Sequence, residues 1–188
     1  MASAGCVFLF LGLMSLSHCA PLPCEDLVRP KAQLYPHHLE GRWTLMALSL
    51  THLPYPDTFN QTDGAFITFS SNSSANTVSY IRTIRLNNKC HSHSYNITLE
   101  GSTFTYDGWN SSNWTANFVQ TSCHDCLIMH LRLEPAKQQQ LFLLSRRTAV
   151  EQMEIEEFRA QAKCLKMPFN IPFLEVVLGF FSIVILQK

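Results

Sequence analysis

Between Arg42 and Arg147, apolar, β-branched and aromatic residues recur in eight short segments, each ended by a cluster of Gly, Asn, Asp, Ser or Pro. Segments of this length and make-up suit a pleated, half-buried surface better than a helix. The predicted strands are Arg42–Leu50, Ala65–Ser71, Thr77–Leu86, Cys90–Leu99, Ser102–Asp107, Asn113–Thr121, Cys126–Leu133 and Gln139–Arg146. The breaks between them include Ser71-Asn72-Ser73-Ser74, Leu86-Asn87-Asn88-Lys89, Glu100-Gly101 and Asp107-Gly108. Connections this short join neighbours, so the expected fold is all-β: an eight-stranded, up-and-down antiparallel barrel, in which closure leaves no exposed edge. One longer link, Thr51 to Asp63, carries Pro54 and Pro56 and is placed as a lid over one mouth.

Past Arg147 the period changes. Thr148 and Glu151 match a capping box, and Ile155, Phe158, Ala162 and Leu165 share one helical face, with Glu154, Glu156, Glu157 and Lys163 on the others. Pro168 stops the segment, which is expected to dock as one C-terminal helix outside the barrel.

The chain starts with an apolar run, Cys6 to Met14, followed by small residues through Cys19 and Ala20. That order is a secretory signal over residues 1–19, and the run is short of the roughly 20 residues a membrane-spanning helix needs. Five acceptor sequons, at Asn60, Asn72, Asn96, Asn110 and Asn113, agree with a secreted glycoprotein. In that compartment, cysteines are disulfide candidates first. Lys plus Arg equals Asp plus Glu at 14 each, so no basic field exists for nucleic acid.

Several segments together resemble the lipocalin family. They are Gly41-Arg42-Trp43 opening the first strand, Leu144-Ser145-Arg146-Arg147-Thr148 closing the last, and a helix ending at Cys164-Leu165. The resemblance extends to the α1-acid-glycoprotein-like lipocalins of fishes, a group with tributyltin-binding and saxitoxin- and tetrodotoxin-binding members. The stretches that carry this are His37 to Trp43, Ser94 to Gly101 and Glu156 to Gln161. The likeness covers Cys24 to Pro168, within a lipocalin domain spanning residues 20–168. It implies a barrel floor built from Gly41, Trp43 and Arg147, with the arginine packed across the tryptophan ring. It also implies a Cys24–Cys164 disulfide, with Cys123 and Cys126 bridging the turn before the seventh strand. The family's terminal partner for Cys90 is missing, which leaves Cys90 unpaired.

Side chains alternate inward and outward along a strand. A glycan on Asn96 must face solvent, which turns His93, Tyr95, Ile97 and Leu99 inward. Trp43 on the floor likewise turns Leu45 and Ala47 inward. The more apolar parity of the third strand holds Val78, Tyr80, Arg82, Ile84 and Leu86. The second strand offers either Phe66 or Ile67 with Phe69. Phe104 and Tyr106, then Ala116, Phe118 and Gln120, and then Leu127, Met129 and Leu131 follow. On the eighth strand, Leu141 and Leu143 are preferred over Phe142 and Leu144. The candidate ligand-binding set is therefore Leu45, Phe69, Tyr80, Arg82, Ile84, Tyr95, Ile97, Phe104, Tyr106, Phe118, Met129, Leu131 and Leu143. Arg82 is the single inward charge, suited to an anionic or strongly polar head group if it is desolvated; the bland alternative is an arginine that snorkels to the mouth.

Other chemistries find no support. Cys90-His91-Ser92-His93 divides its thiol and imidazoles between two faces, too few ligands for a zinc site, so no metal is expected. No nucleophile elbow, P-loop or dinucleotide fingerprint occurs, so neither catalysis nor a cofactor is expected. The apolar tail, residues 169–188, is read as an atypical carboxyl terminus too short to span a bilayer, with membrane association as the second reading. The expected function is a monomeric extracellular carrier of a small hydrophobic or amphipathic ligand. The competing expectation is an immune-modulating or protein-binding glycoprotein whose barrel is filled.

Overall fold

The computed structural model describes residues 22–51, 62–71, 76–106, 114–133 and 137–168. The proposed signal, the tail, the lid and four of the sequons (Asn60, Asn72, Asn110 and Asn113) lie outside them or almost so. Eight antiparallel strands close into a barrel in sequence order: β1 (Gly41–Leu50), β2 (Thr62–Ser71), β3 (Thr77–Leu86), β4 (Lys89–Glu100), β5 (Thr103–Tyr106), β6 (Trp114–Val119), β7 (Cys126–Leu133) and β8 (Gln138–Ser145). The β1–β8 pairing completes the ring. Two short helices, α1 (Cys24–Leu27) and α2 (Pro36–Leu39), precede the barrel, and α3 (Gln152–Cys164) follows it.

Local chemistry explains the joints. Asn87 and Asn88 both take positive φ, as a tight hairpin with matching twist demands, and asparagine tolerates that backbone well. Helix α3 starts at a capping box formed by Glu151 and Glu154, three residues later than the Thr148–Glu151 pair expected from sequence.

Two apolar clusters share the barrel wall. One draws residues from all eight strands and none from α3, including Trp43, Ile67, Phe69, Val78, Tyr80, Ile97, Leu99, Phe104, Ala116, Phe118, Met129 and Leu144. A cluster with that membership is the interior. The second joins Met46, Ala47, Ile128, Leu141 and Leu143 to Ile155, Phe158 and Ala162 of α3. It is the outer wall of β1, β7 and β8 beneath the helix. Leu45 pairs with Leu144 and Ala47 with Leu143, so a bulge at Met46 shifts the register there. Past it, Met46 and Ala47 both face the helix, which corrects the inward placement of Ala47.

Two disulfides form. Cys24–Cys164 ties the amino-terminal arm to the end of α3, and Cys123–Cys126 spans the turn before β7. Cys90 carries a free, exposed thiol. Gln161, buried on α3, reinforces the tie by donating to the Leu27 and Gln120 carbonyls at 2.9 and 2.8 Å. Gln120 itself lies exposed beyond β6 and not in the interior.

Candidate ligand-binding site

The site begins at its floor. Leu34 and Leu39, both buried, close the end of the barrel where β1 starts. The Leu39 carbonyl accepts a 2.7 Å hydrogen bond from Trp43 Nε1, so the buried indole N–H is satisfied. Arg146 lies over the Trp43 ring, its guanidinium carbon 4.1 Å from the ring centre, and donates to the Glu40 and His38 carbonyls. Gly41 has φ +97°, and a Cβ there would lie 3.0 Å from Arg146 Nη1. Backbone conformation and the arginine's approach thus both require glycine two residues before the tryptophan.

The floor arginine is therefore Arg146, not Arg147, and one parity error accounts for this and for Leu143. On β8 the inward residues are Phe142 and Leu144, and Arg146 continues that file. Leu141, Leu143, Ser145 and Arg147 belong to the opposite file. Leu143 is consequently packed under α3 and does not line the interior. Arg147 turns outward to Glu154 of α3, at 2.6 and 2.7 Å, with Nη2 also donating to Cys123 Sγ at 3.0 Å. The same carboxylate accepts the Glu151 N–H at 2.7 Å, so it both caps the helix and holds the arginine. Burial penalises the Glu154 charge, but the Glu151 N–H and Arg147 outweigh it and hold the carboxyl below its usual pKa.

Of the other sequence-assigned residues, Phe69, Tyr80, Ile97, Phe104, Phe118, Met129 and Leu131 are buried in the interior cluster, with Leu45, Tyr95 and Tyr106 partly buried against it. On β2, Ile67 and Phe69 face in, whereas Phe66 stands outside under the Arg42 guanidinium. Asn96 is exposed on the outer face of β4. Trp114 and Phe142 join the inner wall although the sequence reading did not select them.

The interior is graded along the barrel axis. Toward the floor, aromatic rings touch in series: Phe69 to Tyr80 at 5.4 Å, Tyr80 to Tyr106 at 5.8 Å, Tyr106 to Phe104 at 5.6 Å and Phe104 to Phe118 at 4.9 Å between centres. This packing fills the lower barrel. Toward the other end, Arg82 and Ile84 on β3, Tyr95 on β4, Tyr106 on β5, Trp114 on β6 and Phe142 on β8 remain only partly buried. Tyr80 and Tyr106 hydrogen-bond through their hydroxyls; burial pushes the Tyr80 phenol up to about 12 and the Tyr106 phenol higher still. Both remain neutral donors at physiological pH.

Two residues sit one step beyond these tyrosines. Arg82 lies between Ile67 on β2 and His93 on β4, and Ile84 lies opposite His91. The inward file of β4 runs from Tyr95 through His93 and His91 to Lys89 at its end. Among side chains described on the strands, no carboxylate shares the inner face: Glu100 lies on β4's outward parity with Asn96.

No protein-family model matches the chain, and no curated protein matches it. Solved structures do share its fold. A siderocalin, Ex-FABP, described as functioning through dual ligand specificities, aligns with a TM-score of 0.57 at 12% identity, over 69% of this chain and 88% of that one. The odorant binding protein OBP1 aligns with a TM-score of 0.58 at 12% identity, over 73% and 90%. Both are lipocalins, and a closed eight-stranded barrel with one C-terminal helix is the fold they share with this chain.

Proposed function

We propose that this protein is a secreted carrier that holds a small lipophilic or amphipathic molecule in the outer half of its barrel. One observation carries the reading. On the inner face, Tyr95, Tyr106, Trp114, Phe142, Arg82 and Ile84 keep partial solvent contact, whereas Phe69, Phe104, Phe118 and Met129 are buried, and we read that gradient as a hollow open at the end away from the floor. An aromatic and aliphatic wall with a few polar groups is the usual make-up of a small-molecule site. The structural neighbours bear the names of ligand-binding proteins, not of enzymes. Two disulfides and the exposed Asn96 sequon support an oxidising, extracellular setting. The resemblance to the fish α1-acid-glycoprotein-like group supports a role in a body fluid. The binding set is the interior list given above, with Leu143 replaced by Phe142 and with Trp114 added.

The packed rings of the lower barrel favour a second reading, in which the whole interior is filled and the loops bind another protein. Fluorescence titration separates the two. Adding hexadecan-1-ol or a steroid should quench emission saturably, and Trp114→Phe should remove most of the change because Trp114 borders the hollow. A flat titration with both ligands favours the filled barrel.

A further inference from the structure

We propose that the hollow selects an amphipathic anion, its carboxylate or similarly charged head group seated on the Arg82 guanidinium beside the tyrosine layer and its apolar body lying toward Trp114 and Phe142. This rests on the carrier reading and adds the charge of the guest.

Three independent features support it. The first is an orphaned donor. Arg82 Nε is buried and has no hydrogen-bond acceptor among the described residues. A guanidinium offers five N–H groups and accepts nothing, and a buried donor without a partner usually marks a missing acceptor. The second is position. Arg82 stands directly beyond the Tyr80–Tyr95 pair, where ring packing gives way to the hollow, and its charge acts on both Tyr80 and Tyr106. A head group placed there would meet the guanidinium fork together with the one hydroxyl proton that the Tyr80–Tyr106 hydrogen bond leaves over. The third is the sign of the approach. His93, His91 and Lys89 follow Tyr95 along the inner file of β4, and no described strand carboxylate faces in to neutralise them. Arg82 and the exposed Lys89 at the end of that file are thus positive charges without a described inward acid beside them, and such an arrangement attracts an anion.

The alternatives do worse. A cationic head would confront Arg82. A neutral hydroxyl could accept from Nε but would leave the guanidinium charge uncompensated in an apolar wall. A carboxylate offers two oxygens in the plane that the fork presents.

The test compares three probes of equal chain length on the secreted protein: hexadecanoate, hexadecan-1-ol and hexadecyltrimethylammonium, with affinity read by calorimetry or tryptophan quenching. Hexadecanoate should bind about tenfold more tightly than the alcohol, the worth of one charged hydrogen bond, and the cation should bind most weakly. Arg82→Gln should bring acid and alcohol to parity, whereas Arg82→Lys should keep part of the preference. Equal affinity of the wild-type protein for acid and alcohol overturns the proposal while leaving the carrier reading intact, and needs no variant that folds. An acid preference that survives Arg82→Gln, with circular dichroism matching wild type, overturns it as well. If none of the three probes binds, both readings fall.

Discussion

Removing the Cys24–Cys164 disulfide should destabilise the protein more than any other single covalent change. The bridge joins residues 140 apart, and α1, which carries Cys24, buries none of its side chains. Few native contacts therefore depend on the bond, and its effect acts chiefly through the unfolded chain. The loop-closure relation gives about 5 kcal/mol for a loop of that length, against about 2 kcal/mol for Cys123–Cys126, whose partners are 3 residues apart. A domain whose whole stability is about 5–15 kcal/mol would lose a third or more of it with the longer bridge. Urea denaturation of C24S/C164S and C123S/C126S, each extrapolated linearly to water, measures both losses. The first variant should also show a larger m-value, since its denatured state is freed to expand. A loss in C24S/C164S no greater than that in C123S/C126S would refute the reasoning. Stability would then follow local contacts around each bridge rather than loop length.

The two neighbouring arginines should separate cleanly. Arg146→Ala removes a cation–π contact and two hydrogen bonds to carbonyls, a loss of about 2 kcal/mol, and should shift the Trp43 emission to the red. Arg147→Ala should leave that emission in place and weaken the docking of α3 instead. Two groups should shape the acid limb of stability. His130, buried against Gln139, has its pKa lowered by desolvation, so the unfolded chain binds the proton more tightly and stability falls as pH drops below the ordinary 6.5. Glu154, also lowered, contributes stability that is full above its ordinary 4.5 and lost as pH falls through its folded value. Denaturation across pH 3–7 should show a shallower slope in the upper window for His130→Gln and in the lower window for Glu154→Gln. Leu143→Ala should cost about 2–5 kcal/mol as a buried truncation yet leave hexadecanoate affinity within twofold, because the side chain lies outside the wall.

The strand order and most inward residues were legible in the sequence because polar residues set the phase. Asn96 marks the outer face of β4, and cross-strand pairing carries that phase to Tyr80 on β3 and Tyr106 on β5. On β8 the signal disappears. Leu141-Phe142-Leu143-Leu144 is apolar on both faces, since one file meets the interior and the other meets α3. Alternation cannot be read from a strand that is buried twice. Choosing the wrong file moved Leu143 inward and handed the floor to Arg147 in one step. The bulge at Met46 was hidden for the same reason: Leu45-Met46-Ala47-Leu48 contains no polar residue to reveal the slip. Leu34 and Leu39 were missed because nothing in a short arm before the first strand says that it folds back over the barrel end.

Packing is unevenly distributed along this barrel. The Trp43–Arg146 stack, the Leu34 and Leu39 plug and the aromatic series from Phe69 to Phe118 all lie toward one end, while α3 braces the outer walls of β1, β7 and β8 and the end of β6 at Val119. The arm bound through Cys24 and Gln161 locks that same end and side. The inner face of β3 and β4 beyond Tyr80 takes no part in these contacts. It is there that Arg82 keeps an unanswered donor, with the exposed Lys89 ending the inner file of β4. Arg147 Nε and Gln161 Oε1 under α3 are also buried without a partner, but the rest of each side chain is hydrogen-bonded, to Glu154 and to the Leu27 and Gln120 carbonyls, whereas the Arg82 guanidinium has no hydrogen bond among the described residues. Of these three unpartnered atoms, the one on a side chain with no other hydrogen bond therefore lies where the ring packing stops, which is the position expected of a recognition group.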